Sequence, residues 1–325
     1  MKRLYLVAAL GLAMLAAVDA QDQPSFRAGT SLVPIYVTVT DEAGRLVPDL
    51  TADDFEVRDN GRRKPLVFFT SDSQPVSVVV MLDRSGTMAD NFDLIRDAAR
   101  EFIGQMQPAD RARIGSFSDE IRIDPDGFSG DRTELSEILH DRLQEAGPSP
   151  VWTAIDRSIT ALQPREGRRV VLVFSDGYDD PGRNQVRTTL DDVRRRARIN
   201  EIMVYAIGFA VTTSRLSGWS MPQGSVGGGR YPVPQRPASI SRRVQKPHPG
   251  LKTLAEESGG GYFELHETED LNATFVRVAE ELHRQYLLAI ATDRLDGTTH
   301  ELEVKVKRRG AEARARKTYI AEARK

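Results

Sequence analysis

Val33, Ile35, Val37 and Val39 occupy every second position of their stretch, the period of a strand with one face buried. Two further apolar-rich runs, 55–58 and 64–69, flank Asp59-Asn60-Gly61. An Asn-Gly pair between such runs predicts a hairpin, because a type I′ turn needs positive φ at both central positions. At residue 76 the pattern changes. Residues 78–82 are continuously apolar and end in Asp83-Arg84-Ser85-Gly86-Thr87, as in a strand buried on both faces of a parallel sheet. Phe92, Ile95, Ala99, Phe102, Ile103 and Met106 then recur at helical spacing.

The alternation continues. Strands are predicted over 112–117, 120–123, 169–174, 202–209 and 262–264, and helices around Leu135–Leu143, from Val151 to about Leu162, through Val193 and Ala197, and through Leu271 to Leu282. Residues 285–292, 300–307 and 318–321 return to a strand pattern. Strands alternating with helices predict an α/β fold, a doubly wound and mostly parallel sheet with helices on both faces. The flanks, 21–75 and 285–325, are each too small to stand alone. The simplest architecture pairs them into one β-sandwich with the α/β unit, 76–284, inserted between them.

Composition narrows the setting. The chain has 325 residues, 40% hydrophobic and 28% charged, a formal net charge of −2 and no cysteine. Disulfides, thiolate metal sites and cysteine nucleophiles are excluded, and no basic surplus points to nucleic acid. Lys2 and Arg3 precede an apolar run over 4–18 and the small-residue site Val18-Asp19-Ala20. This predicts a signal peptide over 1–20, cleaved near Ala20. The run falls short of the roughly 20 residues a spanning helix needs, and no later segment is long and apolar enough. The expectation is an exported protein, periplasmic or secreted, without a transmembrane span in its mature chain. Residues 211–250 hold six Arg and Lys, no acidic residue and many Gly, Pro and Ser. They predict a flexible basic loop.

The chemistry concentrates after the 78–82 run. Asp83, Ser85 and Thr87 place one carboxylate and two hydroxyls at alternate positions, where ligands of open α/β sheets bind. All-oxygen donors suit hard cations, Mg²⁺, Mn²⁺ or Ca²⁺. Taken singly, each element has a plainer reading: hydroxyl-rich turns after strands are common, Thr153 suits a helix N-cap, and Asp176-Gly177 suits a turn. The five histidines show no ligand spacing and read as surface or helix residues. Asp179-Asp180 reads as a solvated turn.

Asp83-Arg84-Ser85-Gly86-Thr87 resembles the D-x-S-x-S signature of von Willebrand factor type A domains, with threonine in the last place. The resemblance covers residues 76 to about 284. It implies a metal-ion-dependent adhesion site whose ligands are Asp83, Ser85, Thr87, Thr153 and Asp176, holding a divalent cation, Mg²⁺ first, with Mn²⁺ or Ca²⁺ as alternatives. The stretches at 38–69 and 284–310 also resemble the flanks of exported bacterial proteins that carry a type A-related domain. Two carboxylates and neutral hydroxyls leave coordination open for an outside carboxylate. The expected function is therefore a non-catalytic, metal-dependent binding or adhesion module for a protein or surface polymer offering an acidic group. The alternatives are an envelope scaffold with a structural metal, and a metal-dependent hydrolase. Against the hydrolase, Ser85 stands where a phosphotransferase site of this type wants a second carboxylate, and no Ser-His-Asp set, P-loop or H-E-x-x-H is present.

Overall fold

The computed structural model describes residues 31–143, 146–181, 187–217, 239–266, 271–292 and 294–321. The expected signal peptide and the middle of the expected basic loop, 218–238, lie outside these residues.

The chain opens with β1 (Ser31–Asp41), β2 (Phe55–Asp59), β3 (Arg62–Lys64) and β4 (Leu66–Thr70). The α/β region follows: β5 (Val76–Asp83), a 3₁₀ turn (Gly86–Asn91), α1 (Phe92–Gly104), β6 (Arg111–Phe117), β7 (Ile121–Ser129), α2 (Arg132–Asp141) and α3 (Val151–Leu162). Next come β8 (Arg168–Ser175), α4 (Leu190–Ile199), β9 (Met203–Phe209), β10 (Val211–Ser217) and β11 (Ser239–Gln245). The chain continues with α5 (Pro249–Ser258), β12 (Tyr262–Leu265) and α6 (Leu271–His283). It closes with β13 (Tyr286–Thr292), β14 (Thr299–Val306), β15 (Ala311–Arg314) and β16 (Thr318–Ile320).

The central sheet runs β12-β9-β8-β5-β6-β7, parallel except for β7. Every residue of β5 is buried, and its period-2 alternation feeds two cores. Val78, Val80 and Leu82 pack with α1, α2 and α6, whereas Val79 and Met81 pack with α3, α4 and α5. The doubly wound sheet with helices on both faces is thus the observed fold.

The flanks form two four-stranded antiparallel sheets, β15-β1-β13-β4 and β16-β14-β2-β3. Each mixes strands from both ends of the chain, with β13 between β1 and β4 and β14 between β2 and β16. Ile35, Val37 and Leu288 from one sheet share a single core with Phe55, Val57, Leu302 and Tyr319 from the other. This is the sandwich into which the α/β region is inserted. Asn60 and Gly61 both have positive φ, 48° and 75°, in the two-residue turn between β2 and β3.

Three expectations need correction. The run 64–69 is not one strand: it breaks at Pro65, which lacks an amide donor, and β3 and β4 lie in different sheets. The ends of 211–250 are ordered, since β10 and β11 pair antiparallel along their whole length. β-branched residues at 211–213, 240 and 244 favour that ribbon, although the average composition of the segment hides it. His300 is not a surface residue. It is 1% exposed, and its Nδ1 lies 2.7 Å from Oδ1 of the buried Asp59 and 3.2 Å from the Tyr319 hydroxyl. Asp180 is exposed, as a solvated turn requires, and its N–H and C=O both pair with Ser149 at 2.8 Å.

Candidate metal centre

The order of the sheet determines where loops can converge. From β5 the chain moves to β6 on one side and later to β8 on the other, so β5 and β8 flank a switch point, the place where open sheets bind ligands. Asp83 is the last residue of β5, and Asp176 follows the last residue of β8. Both are buried, at 0% and 1% exposure.

Three loops are laced together there. Gly86 N–H donates to Gly147 C=O at 3.1 Å, and Gly147 N–H to Arg84 C=O at 3.2 Å. These bonds join the loop after β5 to the loop before α3. The Ser149–Asp180 pair joins the latter to the loop after β8. Trp152, in the first turn of α3, donates its N–H to Asp179 Oδ1 at 3.4 Å. Glycine is required at 177, where φ is +76° and a Cβ would come within 2.8 Å of Leu251 Cδ1.

Four of the five expected ligands form one hydrogen-bonded set. Ser85 N–H donates to Asp83 Oδ1 at 2.8 Å, a local turn bond. Ser85 Oγ and Thr87 Oγ1 are 3.1 Å apart, and Thr87 Oγ1 donates to Asp176 Oδ2 at 2.8 Å. Thr153, the fifth, is half-buried on the first turn of α3. Thr87 and Gly86 are exposed and form the mouth, while Asp83 lies beneath. Arg84 turns aside, with its guanidinium 3.4 Å from the centroid of the Phe92 ring.

Two residues that the sequence reading passed over hold Asp83. Ser175 Oγ donates to Asp83 Oδ2 at 2.5 Å, and Ser149 Oγ to the same oxygen at 3.3 Å. Ser175 was legible in principle. It continues the Val171–Val173 face of β8, as Asp83 continues the Val79–Met81 face of β5, and the parallel register sets Leu82 against Phe174. Even with these donors, burial pushes the Asp83 carboxyl up to about 6 from its usual 3.8. Burial raises Asp176 as well.

The donor set fits a hard cation. Among the described residues no three His, Cys, Asp or Glu cluster as ligands, so a site here depends on hydroxyls. The oxygen separations of 2.8 and 3.1 Å match the edge of an octahedron with metal–oxygen bonds of about 2.1 Å, which is roughly 3 Å. A cation would also supply the opposite charge that the buried Asp83 lacks.

Several known proteins are similar to this chain. Residues 78–178 match the family model described as von Willebrand factor type A domain. Among solved structures, the conserved hypothetical protein BatB from Bacteroides thetaiotaomicron shares 16% identity over 64% of this chain and 97% of its own, with a TM-score of 0.45. A von Willebrand factor type A protein from Catenulispora acidiphila shares 11% over 91% of this chain and 75% of its own, with a TM-score of 0.49. Proximal thread matrix protein 1 from the mussel byssus, in a structure described as having a zinc-occupied MIDAS motif, shares 12% over 70% of this chain and 50% of its own, also with a TM-score of 0.49. No curated protein matches. The family match falls on β5 through the turn after β8, the stretch that carries the switch point, and it is over these residues that the chain matches a von Willebrand factor type A domain.

Proposed function

We propose that this protein is an exported binding module that holds a divalent cation, Mg²⁺ first, through Asp83, Ser85, Thr87, Thr153 and Asp176. A carboxylate of a partner protein or surface polymer completes the coordination. The supporting observation is the oxygen chain Ser85–Thr87–Asp176, which runs from an exposed mouth to a buried carboxylate. Bound there, the cation supplies a positive point charge in a partly dry site. Asp83 and Asp176 neutralise it, and the hydroxyls of Ser85 and Thr87 ligate without adding charge, which leaves coordination open to an outside carboxylate. The backbone lacing between the three loops holds the donors in place before binding.

The unit that carries this activity is 76–284, with 21–75 and 285–325 as its sandwich. Export rests on residues 1–20, and among the described residues no helix is long and apolar enough to cross a membrane. The reading is tested by calorimetric titration of the chain from residue 21 with Mg²⁺, Mn²⁺ and Ca²⁺, followed by metal-dependent capture of acidic peptides. Saturable binding lost in Asp83→Ala and Asp176→Ala supports it. Capture that persists in both variants rejects the adhesive role and favours a scaffold.

A further inference from the structure

At the other end of the central sheet lies a cavity of about 920 Å³. It opens along the seam between the sandwich and the α/β unit, walled by β1, the start of β8, the end of α4 and the segment before β16. β8 separates it from Asp83 by roughly 23 Å of strand, at about 3.3 Å per residue. Its lining is cationic, with seven Arg and Lys against three Glu. Two of those glutamates are already engaged. Glu257 takes Arg194 at 2.8 Å, and Glu201 takes Arg316 at 2.8 Å.

Lys317 pairs with Glu256 at 3.8 Å, but three lining arginines, Arg165, Arg168 and Arg198, have no ion pair with a carboxylate among the described residues. Arg168 is 2% exposed. Its Nη groups donate to the carbonyls of Leu282 and Gln74 and to Gln285 Oε1, and among the described residues no carboxylate reaches it. Its Nε is buried without a hydrogen-bond partner, as is the Nε of Arg316. Arg165 rests on Ser77 Oγ at 3.1 Å and on the Phe128 ring, and Arg198 is half-buried with no ion pair among the described residues. The end of α4 contributes only about half a negative charge, which does not offset the guanidinium groups of Arg168 and Arg198. Leaving a buried guanidinium such as Arg168 without a carboxylate is costly, and an anion in the cleft relieves the cost.

We propose that this cleft is a binding site for a small organic molecule carrying two or more phosphate or carboxylate groups. Guanidinium forks match either oxyanion in two-point hydrogen bonds. The volume lies in the range of small-molecule pockets, far larger than a single ion needs. Tyr36, Met203 and Leu254 in the lining offer an apolar wall for the body of the molecule.

The site is tested with the metal-free full chain, titrated separately with inorganic pyrophosphate and with citrate at constant ionic strength. The tighter probe identifies the oxyanion. One saturable event is expected, retained in Asp83→Ala, which separates it from the metal centre. Arg198→Glu and Lys317→Glu should each weaken it tenfold or more, the loss expected for a charge-assisted hydrogen bond. Both stand at the cleft without a core role, and a melting curve verifies folding. Arg62→Glu, on the exposed β3 strand, serves as a control and should change nothing. No saturation with either probe overturns the proposal, as does equal weakening by the Arg62 control or unchanged affinity in both cleft variants.

Discussion

Thr87 donates its hydroxyl proton to Asp176 Oδ2 across 2.8 Å, although the two residues are 89 positions apart. The bond closes the mouth of the candidate metal centre and links the loop after β5 to the loop after β8. A cation entering the site would replace that proton-mediated contact with two metal–oxygen bonds. Thr87→Ser keeps the oxygen and should bind Mg²⁺ within a few-fold of wild type, whereas Thr87→Ala should weaken it about tenfold or more, by the loss of one oxygen donor at the part-buried mouth. Asp176→Ala should abolish binding. Calorimetry on the three variants checks the order. Equal affinity in wild type and Thr87→Ala would remove Thr87 from the ligand set.

Asp83 makes the metal-free protein sensitive to pH. Its folded carboxyl titrates near 6 instead of 3.8 because burial disfavours the charge. Between these values the folded state binds more protons than the unfolded one, so stability falls as pH rises from about 4 through about 6 and then levels off. The difference corresponds to about 3 kcal/mol. Asp83→Asn should therefore be more stable than metal-free wild type at pH 7.5, by up to about that amount, with the gain gone by pH 4. Added Mg²⁺ should stabilise wild type more at pH 7.5 than at pH 5, where protons compete, and should leave Asp83→Asn unchanged. Denaturant melts at the three pH values decide it. A variant less stable than wild type at pH 7.5 would contradict the burial argument.

The central strands were legible in the sequence because their signals are local and strong. The unbroken apolar run 78–82 could only be a strand covered on both faces, and Asn60-Gly61 could only turn with positive φ. Asp83, Ser85, Thr87 and Asp176 were legible because strand ends collect in space whatever the loops between them do. What escaped depended on partners distant in sequence. Ser149 and Ser175 matter only through Asp83, which the register brings to them. His300 is buried because Asp59 and Tyr319 meet it from strands that begin and end the chain. The β10–β11 ribbon was obscured by its Gly- and Pro-rich surroundings. The break at Pro65 went unread because both halves of the run carry apolar residues, so hydropathy alone saw one strand.

Among the described glycines, Gly260 marks the tightest backbone approach. A Cβ built there would lie 1.9 Å from the carbonyl oxygen of Val204, a backbone atom in a central strand that cannot swing aside. Its neighbour Gly259 has φ +87° at the C-cap of α5, and a Cβ there would come within 2.4 Å of Arg316 N in the sandwich. Both glycines let α5 pack against its neighbours. Gly260→Ala should cost more than about 4 kcal/mol, in the exceptional tail of single substitutions, and should yield little folded protein. Gly297→Ala, whose Cβ meets nothing within 4 Å, should cost only about 1 kcal/mol for its positive φ. Comparative denaturant melts check the contrast, and similar losses at both positions would show that the backbone at 260 relaxes away from Val204.

Asp110 should titrate with the opposite sign to Asp83. It is also fully buried, and burial alone would raise it, but its oxygens accept from Val76 N–H at 3.0 Å and Gln107 N–H at 2.7 Å and lie 2.7 Å from His283 Nε2. These partners hold its carboxyl below the usual 3.8. A depressed carboxyl contributes stability that is fully present above the unfolded value and is lost as pH falls through the folded one. One side chain thus fastens the start of β5, the loop before β6 and the end of α6. Asp110→Asn puts an NH₂ group where one acceptor stood, leaving an amide or the histidine without its partner, at a cost of about 1.5–3 kcal/mol at pH 7. The gap from wild type should narrow below pH 3.8, because protonation removes the same charge from wild type. Urea melts of both proteins at pH 7 and pH 3 measure that gap directly. A gap that stays constant would mean the carboxylate charge contributes nothing and that Asp110 acts through shape alone.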